Sequence, residues 1–198
     1  MNRSRRLVRV LTVVFVAGLV TGCNVPTRAR RPAQRTKFVQ KEAGAGAADR
    51  KRLEDNCIFG GPKKDKDWDH GKTQTIYRDG YILEHSAVDK VPLWVCEHIT
   101  REEVSGDVPR QNKFKPDPLL PKGERAELRD YRGFGVDRGH MAPAGNQTVD
   151  ETLKLETFFL SNMAPQTAEL NRNIWAALEG EVRSWAEDDG EVWTITGP

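Results

Sequence analysis

The sequence lacks the residue patterns that hold zinc in proteins. It has three cysteines and four histidines, with no Cys-x-x-Cys pair and no His-Glu-x-x-His run. A long membrane-spanning run is missing as well, because the apolar stretch at residues 11–20 is too short to cross a bilayer comfortably. With 198 residues, 30% charged residues and a mean hydropathy of −0.65, the chain is expected to be soluble and mostly one domain.

Charge is distributed unevenly along the chain, although the net charge is only +2. Residues 1–22 carry four basic residues and no acid, and residues 23–52 carry nine basic and two acidic residues. Residues 53–198 have 18 basic and 27 acidic residues, so the segment expected to be globular is acidic. Any attraction to a polyanion must therefore come from locally clustered basic residues, a bound metal or the basic N-terminal part.

The first 22 residues resemble a bacterial lipoprotein signal. Four arginines precede the apolar run at residues 11–20, and small residues stand directly before Cys23. This resemblance implies a signal peptide at residues 1–22 and lipidation of Cys23. An ordinary secretory signal and an uncleaved anchor stay open, but each alternative exports the protein, either as a membrane-anchored envelope lipoprotein or in secreted form.

Residues 23–52 are predicted to form a disordered basic tether. Basic residues, alanine and glycine dominate this segment, and too few apolar side chains are present to offset the entropy lost on ordering. Its charge could hold an anionic lipid surface or a nucleic-acid strand. A solvated linker is the favoured interpretation.

Beyond the tether, apolar periodicity and turn residues predict the secondary structure. Residues 101–133 contain four prolines that block long regular elements and are predicted to be mostly irregular. The predicted elements are a hairpin turning at Asp79-Gly80, a buried strand at 91–100, a short strand at 157–161, an amphipathic helix at 170–190 and a strand at 191–198.

Two features in the first half of this domain stay ambiguous from the residues alone. Cys57 and Cys96 could form a disulfide, or Cys96 could be a buried free thiol. Residues 110–118 place basic side chains around Phe114. Spacing alone favours an ordinary surface loop over a phosphate-contacting one.

The chemistry concentrates in residues 136–146, VDRGHMAPAGN. An acid, an arginine, a glycine and a histidine occupy four consecutive positions, and Pro143 then ends any regular strand. On the helix that follows, Asn171 and Glu179 are eight residues apart and can share one side. An amide and a carboxylate behind a strand ending in histidine could hold a hard divalent cation, which prefers oxygen ligands.

Three ordered motifs, VDRGHMAP, FFLSNMAPQ and LNRNIWAALE, resemble the DNA/RNA non-specific endonucleases of the ββα-metal superfamily. The resemblance covers roughly residue 56 to the C-terminus, and the domain is placed at 53–198. It implies an α+β fold with a mostly antiparallel sheet and a metal-binding helix. Because the family continues beyond the strand ending in Thr-Gly-Pro, the domain is predicted to be C-terminally truncated, with an exposed sheet edge.

The resemblance also implies catalytic and metal-binding roles for four residues. His140 would be the general base that takes a proton from the attacking water. Asn171 would be the direct protein ligand of Mg²⁺, for which Mn²⁺ is expected to substitute. Asn162 would position the histidine and the water shell, and Glu179 would hold metal-bound waters.

Substrate contacts are implied for two arginines. Arg138 would bind the phosphate through its fixed fork of donors. Arg110, near Phe114 and Asp117, approximates a further arginine that the family has upstream of the histidine. Asp137 is expected to be a structural partner at the turn.

The implied function is Mg²⁺-dependent hydrolysis of phosphodiester bonds in DNA and RNA, with 5′-phosphate products and little sequence selectivity. Two alternatives stay open. One is a catalytically impaired, nucleic-acid-binding envelope lipoprotein, and the other is a structural envelope protein. The residues do not indicate the oligomeric state.

Overall fold

The computed structural model describes residues 46–63 and 71–198, together with the backbone alone of Arg9–Val14. Cys23 and most of the predicted signal peptide and tether lie outside the described residues, so lipidation and export stay predictions. Within the described part of the chain, no helix is both long and apolar enough to cross a membrane.

The described elements alternate between strands and short helices, with longer irregular connections before the motif at residues 136–146. Tight 3-10 turns cover Leu128–Tyr131, Ala144–Asn146 and Leu160–Asn162. In chain order the elements are β1 (Arg9–Val14), α1 (Ala47–Asn56), β2 (Thr73–Tyr77), β3 (Ile82–Ser86), β4 (Pro92–Thr100), α2 (Arg101–Val104), β5 (Asp137–His140), α3 (Glu151–Glu156), β6 (Met163–Gln166), α4 (Ala176–Asp189) and β7 (Glu191–Gly197).

The main sheet has five strands in the order β1-β7-β4-β3-β2. β2 and β3 form the antiparallel hairpin predicted around Asp79-Gly80, and the predicted strand at 91–100 is the central strand β4. β7 pairs with β4 in antiparallel fashion and with β1 in parallel fashion. The edge of β7 that is expected to be exposed pairs with the backbone of β1, which lies within the predicted signal peptide, so removal of residues 1–22 would expose this edge.

A second, two-stranded sheet carries the sequence motif. β5 and β6 are antiparallel, with Asp137 opposite Gln166 and His140 opposite Met163. Gly139 lies so close to the Gln166 side chain that an added Cβ would stand 2.1 Å from its Oε1. A side chain at position 139 would therefore displace the Gln166 side chain from this place.

The predicted amphipathic helix is confirmed, but its buried face is shifted. Leu170–Trp175 forms a π-helical turn before α4, and the wider turn changes the phase of the residues that follow. Ile174, expected on the buried face, is 64% exposed, whereas Trp175 and Val182 are buried. Gly190, with a φ of 97°, ends the helix and turns the chain into β7.

Two other predictions from the sequence were wrong. Residues 157–161 form a turn leading into a 3-10 helix instead of a strand. Their apolar side chains are buried where the chain reverses direction, and Phe158 and Leu160 have no exposed surface. The tether was predicted to be disordered up to residue 52, but α1 begins at Ala47. Arg52 anchors α1 to the hairpin through Asp79 at 2.6 Å.

A disulfide joins Cys57, just after α1, to Cys96 in β4. The bridge belongs to a buried apolar cluster that includes Ile82. The question left open by the sequence is therefore answered in favour of the disulfide, which attaches the end of α1 to the central strand.

A buried ion pair fixes the loop at residues 110–118. Arg78, at the turn of the hairpin, donates to Asp117 at 2.8 Å, and both side chains are almost wholly buried. Asp117 also accepts a hydrogen bond from Ser161, and Arg78 also pairs with Glu156 at the end of α3. Asp117 is thus a structural residue that holds this loop against the hairpin and the second sheet.

Replacing both bridged cysteines by serine is expected to destabilise the domain. The bridge closes a separation of 39 residues, for which the loss of chain entropy on cross-linking gives a stabilisation of about 3–4 kcal/mol. Urea unfolding of Cys57→Ser/Cys96→Ser against the wild type measures this difference. Under reducing conditions the two proteins should converge, and equal stability in oxidising buffer would contradict the prediction.

Candidate active site

An open cavity of about 580 Å³ lies between β5, the π-helical turn and the loop at residues 110–118. Its lining includes Arg110, Arg138, His140, Asn171 and Glu179. Five of the six residues predicted for the catalytic domain's site therefore share one cavity, although they come from segments far apart in sequence.

His140 is held by aromatic side chains at the end of β5. It is 6% exposed, and its ring lies edge-on to Phe158 with centroids 5.1 Å apart. The Phe114 ring lies 5.7 Å away on a tilted plane. The indole of Trp175 donates to the His140 carbonyl oxygen at 3.0 Å, which ties the strand end to the helix.

The environment of His140 favours the neutral imidazole. Burial, assisted by the charges of Arg110 and Arg138, lowers its pKa to about 3. Nε2 is buried and has no hydrogen-bond partner among the described residues. At neutral pH the ring is therefore unprotonated and can accept a proton.

Asn162, the remaining predicted site residue, lies beneath the cavity with no exposed surface. Its side-chain amide donates to the carbonyl oxygens of Ala142 and Thr157, and its Oδ1 accepts from the Ala142 amide, each at 2.9 Å. Its own carbonyl oxygen accepts from the Met141 amide at 3.0 Å. These bonds position the chain after His140 and use both side-chain donors, and the role of Asn162 toward the water shell stays a prediction.

Asn171 is oriented by a charged pair. Its Nδ2 donates to Asp137 Oδ2 at 3.0 Å, so its Oδ1 is the amide atom left for a ligand. Arg172 binds both oxygens of Asp137 at 2.8 Å. Hydrogen bonds from Arg172 and then Asn171 lower the pKa of Asp137, which stays ionised and acts as the structural partner that the resemblance implies.

Glu179 faces the cavity from α4. Burial raises its pKa to about 7, while the charges of Arg183 and Arg110 act in the opposite direction. Loss of solvent therefore outweighs the arginines, and a nearby cation would shift this carboxyl to its ionised form.

Two arginines extend over aromatic rings at the cavity. The Arg138 guanidinium carbon lies 4.1 Å from the centroid of Phe114, and that of Arg110 lies 5.3 Å from the centroid of Phe158. The loop at 110–118 thus contributes to the cavity, contrary to the ordinary surface loop favoured by spacing alone. With Arg132 also lining the cavity, positive charge is concentrated here although residues 53–198 are acidic.

The donors in the cavity suit a hydrated Mg²⁺ ion better than zinc. The free amide oxygen of Asn171 and the Glu179 carboxylate are hard oxygen ligands, which such an ion combines with several waters. Among residues 46–63 and 71–198, no group of three histidine, cysteine or acidic side chains is placed to hold a metal. Asn171 would contact the ion, and Glu179 would hold its waters.

Three supporting residues were not assigned a site role from the sequence: Phe158, Trp175 and Arg172. Phe158 lies in the segment predicted to be a strand, and Trp175 lies within the predicted amphipathic helix. For Arg172 the sequence offers one signal, which is its position directly after the candidate metal ligand Asn171. A cationic side chain there indicates that an acidic partner lies nearby. The two aromatic contacts depend on long-range packing and have no local signal.

The antiparallel β5–β6 pair followed by the helix that carries Asn171 and Glu179 defines a ββα-metal nuclease fold. A chain in the crystal structure of the EndoG/EndoGI complex matches it with a TM-score of 0.66 and 36% identity, covering 74% of this chain and 58% of that chain. The DNA/RNA non-specific endonuclease family model matches residues 65–198, and the chain belongs to that family.

Named nucleases are among its relatives. Nuclease EXOG, mitochondrial, of Mus musculus is 40% identical over 64% of this chain and 34% of its own length. Nuclease C1 of Cunninghamella echinulata is 40% identical over 71% of this chain and 54% of its own. Endonuclease G, mitochondrial, of Homo sapiens is 38% identical over 65% of this chain and 43% of its own length. The chain thus spans between about a third and about half of these relatives.

Beneath the active-site cavity, Glu97 is a buried carboxyl that has no ion pair with a basic side chain among the described residues. It is 1% exposed, its Oε2 accepts from Asn146 at 2.9 Å, and its Oε1 has no partner among the described residues. A small cavity of about 30 Å³ separates it from Glu179. Burial raises the pKa of Glu97 well above its usual range, and the charges of Glu103 and Glu179 add to this effect.

Glu97→Gln is expected to stabilise the domain increasingly as the pH rises. A carboxyl with a raised pKa binds a proton more tightly in the folded state, so the free energy of unfolding falls as pH rises above the ordinary carboxyl range. Between the ordinary carboxyl pKa and the raised pKa of Glu97, the free energy of unfolding falls by about 1.4 kcal/mol per pH unit. The neutral amide of glutamine removes this dependence on pH. Urea unfolding between pH 5 and pH 8 measures the effect.

Glu54→Gln provides the matched control for that series, because it removes an exposed carboxyl from α1 with the same change in net charge. Parallel pH curves for the wild type and Glu97→Gln would contradict the prediction.

Proposed function

We propose that the domain is a metal-dependent endonuclease that hydrolyses phosphodiester bonds in DNA and RNA and leaves 5′-phosphate ends. The observation that carries this proposal is the neutral, buried His140 between Arg110 and Arg138, in one cavity with the free amide oxygen of Asn171. Family membership and the named nucleases among the relatives support the same activity.

His140 accepts a proton from the water that attacks phosphorus. Without substrate, Arg110 and Arg138 lower the pKa of the imidazole. A bound phosphate offsets those two charges, so the imidazole becomes a stronger base when the scissile phosphate is in place. The aromatic contacts and the Trp175 bond prevent the ring and strand end from moving away.

Asn171 would hold Mg²⁺, or Mn²⁺ in its place, through its free amide oxygen, and Glu179 would hold the waters of the ion. When bound, the ion stabilises the negative charge that develops on the phosphoryl oxygens and the departing 3′ oxygen. The Arg172–Asp137 pair keeps the Asn171 amide turned so that its oxygen faces the ligand.

Arg138 and Arg110 bind the phosphate that is cut. Their planar donors suit phosphate oxygens, and stacking on Phe114 and Phe158 fixes the planes of the two guanidinium groups. Phosphate and sugar contacts carry no direct base information, so the domain should cut many sequences and both sugar types.

Export is part of the proposal, with Cys23 as the lipid-modified residue of an envelope lipoprotein. The Cys57–Cys96 disulfide supports an oxidising compartment, where such bonds persist. A secreted form without the lipid is the alternative.

His140→Ala is expected to reduce cleavage of plasmid DNA and of RNA by roughly 10²- to 10⁴-fold, the usual contribution of a general base. The rates are measured with Mg²⁺ present, and EDTA should abolish the wild-type activity until Mg²⁺ is restored. His98→Ala, which alters a ring stacked on Trp193 in β7, is the matched control. Wild-type cleavage by His140→Ala would contradict the mechanism, and binding without cleavage by the wild type would favour the impaired nucleic-acid-binding lipoprotein.

Cys23→Ser is expected to abolish incorporation of radiolabelled palmitate into the full chain expressed in a bacterial host and to release the protein from the membrane fraction. Cys57→Ser/Cys96→Ser, in which Cys23 is kept, serves as the control and should stay labelled. Labelling of the Cys23→Ser protein would contradict lipidation at this residue.

A further inference from the structure

An exposed aromatic side chain lies in a short segment whose two flanking residues line the active-site cavity. Phe134 is 73% exposed and lies in the three-residue segment between Arg132 and Val136, both of which line the cavity. Its ring is not used by the mechanism above. The proposed mechanism therefore gives no role to this exposed aromatic ring beside the phosphate-binding arginines.

The backbone of this segment presents Phe134 away from the body of the domain. The flanking Gly133 and Gly135 have φ values of 84° and 68°, which side-chain-bearing residues rarely adopt. A Cβ added at either glycine would meet nothing within 4 Å. The segment thus projects from the surface instead of packing onto it.

The base of the segment is held firmly on both sides. On one side, the Tyr131 hydroxyl donates to the Met163 carbonyl oxygen at 3.0 Å, and the Arg132 amide donates to Arg129 at 3.1 Å. On the other side, β5 begins at Asp137. Phe134 is therefore an aromatic tip on a supported turn, so its position relative to the cavity is defined.

Charge around the tip matches a polyanion. Arg132 is exposed and lines the cavity together with Arg110 and Arg138. A strand held by its phosphate at these guanidinium groups would bring an adjacent nucleotide to the Arg132–Val136 segment, which carries Phe134.

We propose that Phe134 stacks on an unpaired nucleobase next to the phosphate held in the cavity, and so favours single-stranded over duplex substrates. This inference rests on the proposed function for the identity of the bound polymer. An unpaired base offers its ring face to an aromatic side chain, whereas the bases of a duplex are already stacked on their neighbours. Stacking is tolerant of base identity, so the preference concerns strandedness and adds no sequence selectivity.

The experiment measures binding apart from cleavage. In the His140→Ala background, fluorescence anisotropy gives the Kd of the full chain for a labelled 20-mer, first as a single strand and then as a duplex of the same sequence. Phe134→Ala and Phe134→Leu are expected to weaken single-strand binding by about fivefold to tenfold, the lower end of the stacking range. Phe134→Trp should retain it, and duplex binding should change by less than about twofold in all three.

Phe134→Leu keeps an apolar side chain but has no aromatic ring, so it distinguishes stacking from simple apolar contact. Phe59→Ala is the matched surface control. Phe59 is 57% exposed but does not line the cavity. The inference is overturned if Phe134→Ala binds single strands like the parent, if it loses single-strand and duplex binding equally, or if Phe134→Leu retains full affinity.

Failure of this inference is distinguishable from failure of the proposed function. If the protein with His140 intact cuts nucleic acid while the Phe134 variants show no selective loss, only the stacking role is lost. If that protein does not cut but the selective loss is observed, the nuclease activity is lost and the single-strand subsite stands.

Discussion

The site depends on the buried amide of Asn162. Four hydrogen bonds between this residue and the backbone of Met141, Ala142 and Thr157 join the segment after β5 to the segment before β6. All of the groups involved are removed from solvent, where an unmade hydrogen bond costs about 1–3 kcal/mol. The strand end that carries His140 therefore has one low-energy position, and the aromatic contacts around the ring follow from it.

Electrostatics in the cavity are set by solvent exclusion as much as by charge. Burial keeps His140 neutral and raises the pKa of Glu179, so in the ligand-free domain the imidazole is unprotonated while the Glu179 carboxyl holds its proton over part of the neutral range. The arginines extend over aromatic rings, which leaves their donor edges available. An acidic domain can in this way present a local surface for phosphate.

The sequence predicted the parts of this site that have local signals. Asp137-Arg138-Gly139-His140 and the helix carrying Asn171 and Glu179 stand out because their charges, turn residues and periodicity lie within a few positions. Their assignment to one site came from the resemblance of three ordered motifs to the endonuclease family. The π-helical turn was missed, since a single extra residue in a turn leaves the apolar spacing almost unchanged. Phe158 was misassigned because an apolar run looks the same in a buried turn as in a strand. The Arg78–Asp117 pair joins residues 39 apart, and no local pattern encodes it.

The pair formed by Arg172 and Asp137 makes the orientation of Asn171, the proposed metal ligand, sensitive to ionic strength. Arg172 is exposed over 69% of its side chain, so dissolved ions reach the contact that turns the Asn171 amide. Salt is then expected to act in two ways. It screens the attraction between phosphate and the cavity arginines, and it weakens the ion pair that orients the Asn171 amide. We therefore expect part of the inhibition by salt to persist when more substrate is added. That part should be reversed when more divalent metal is added.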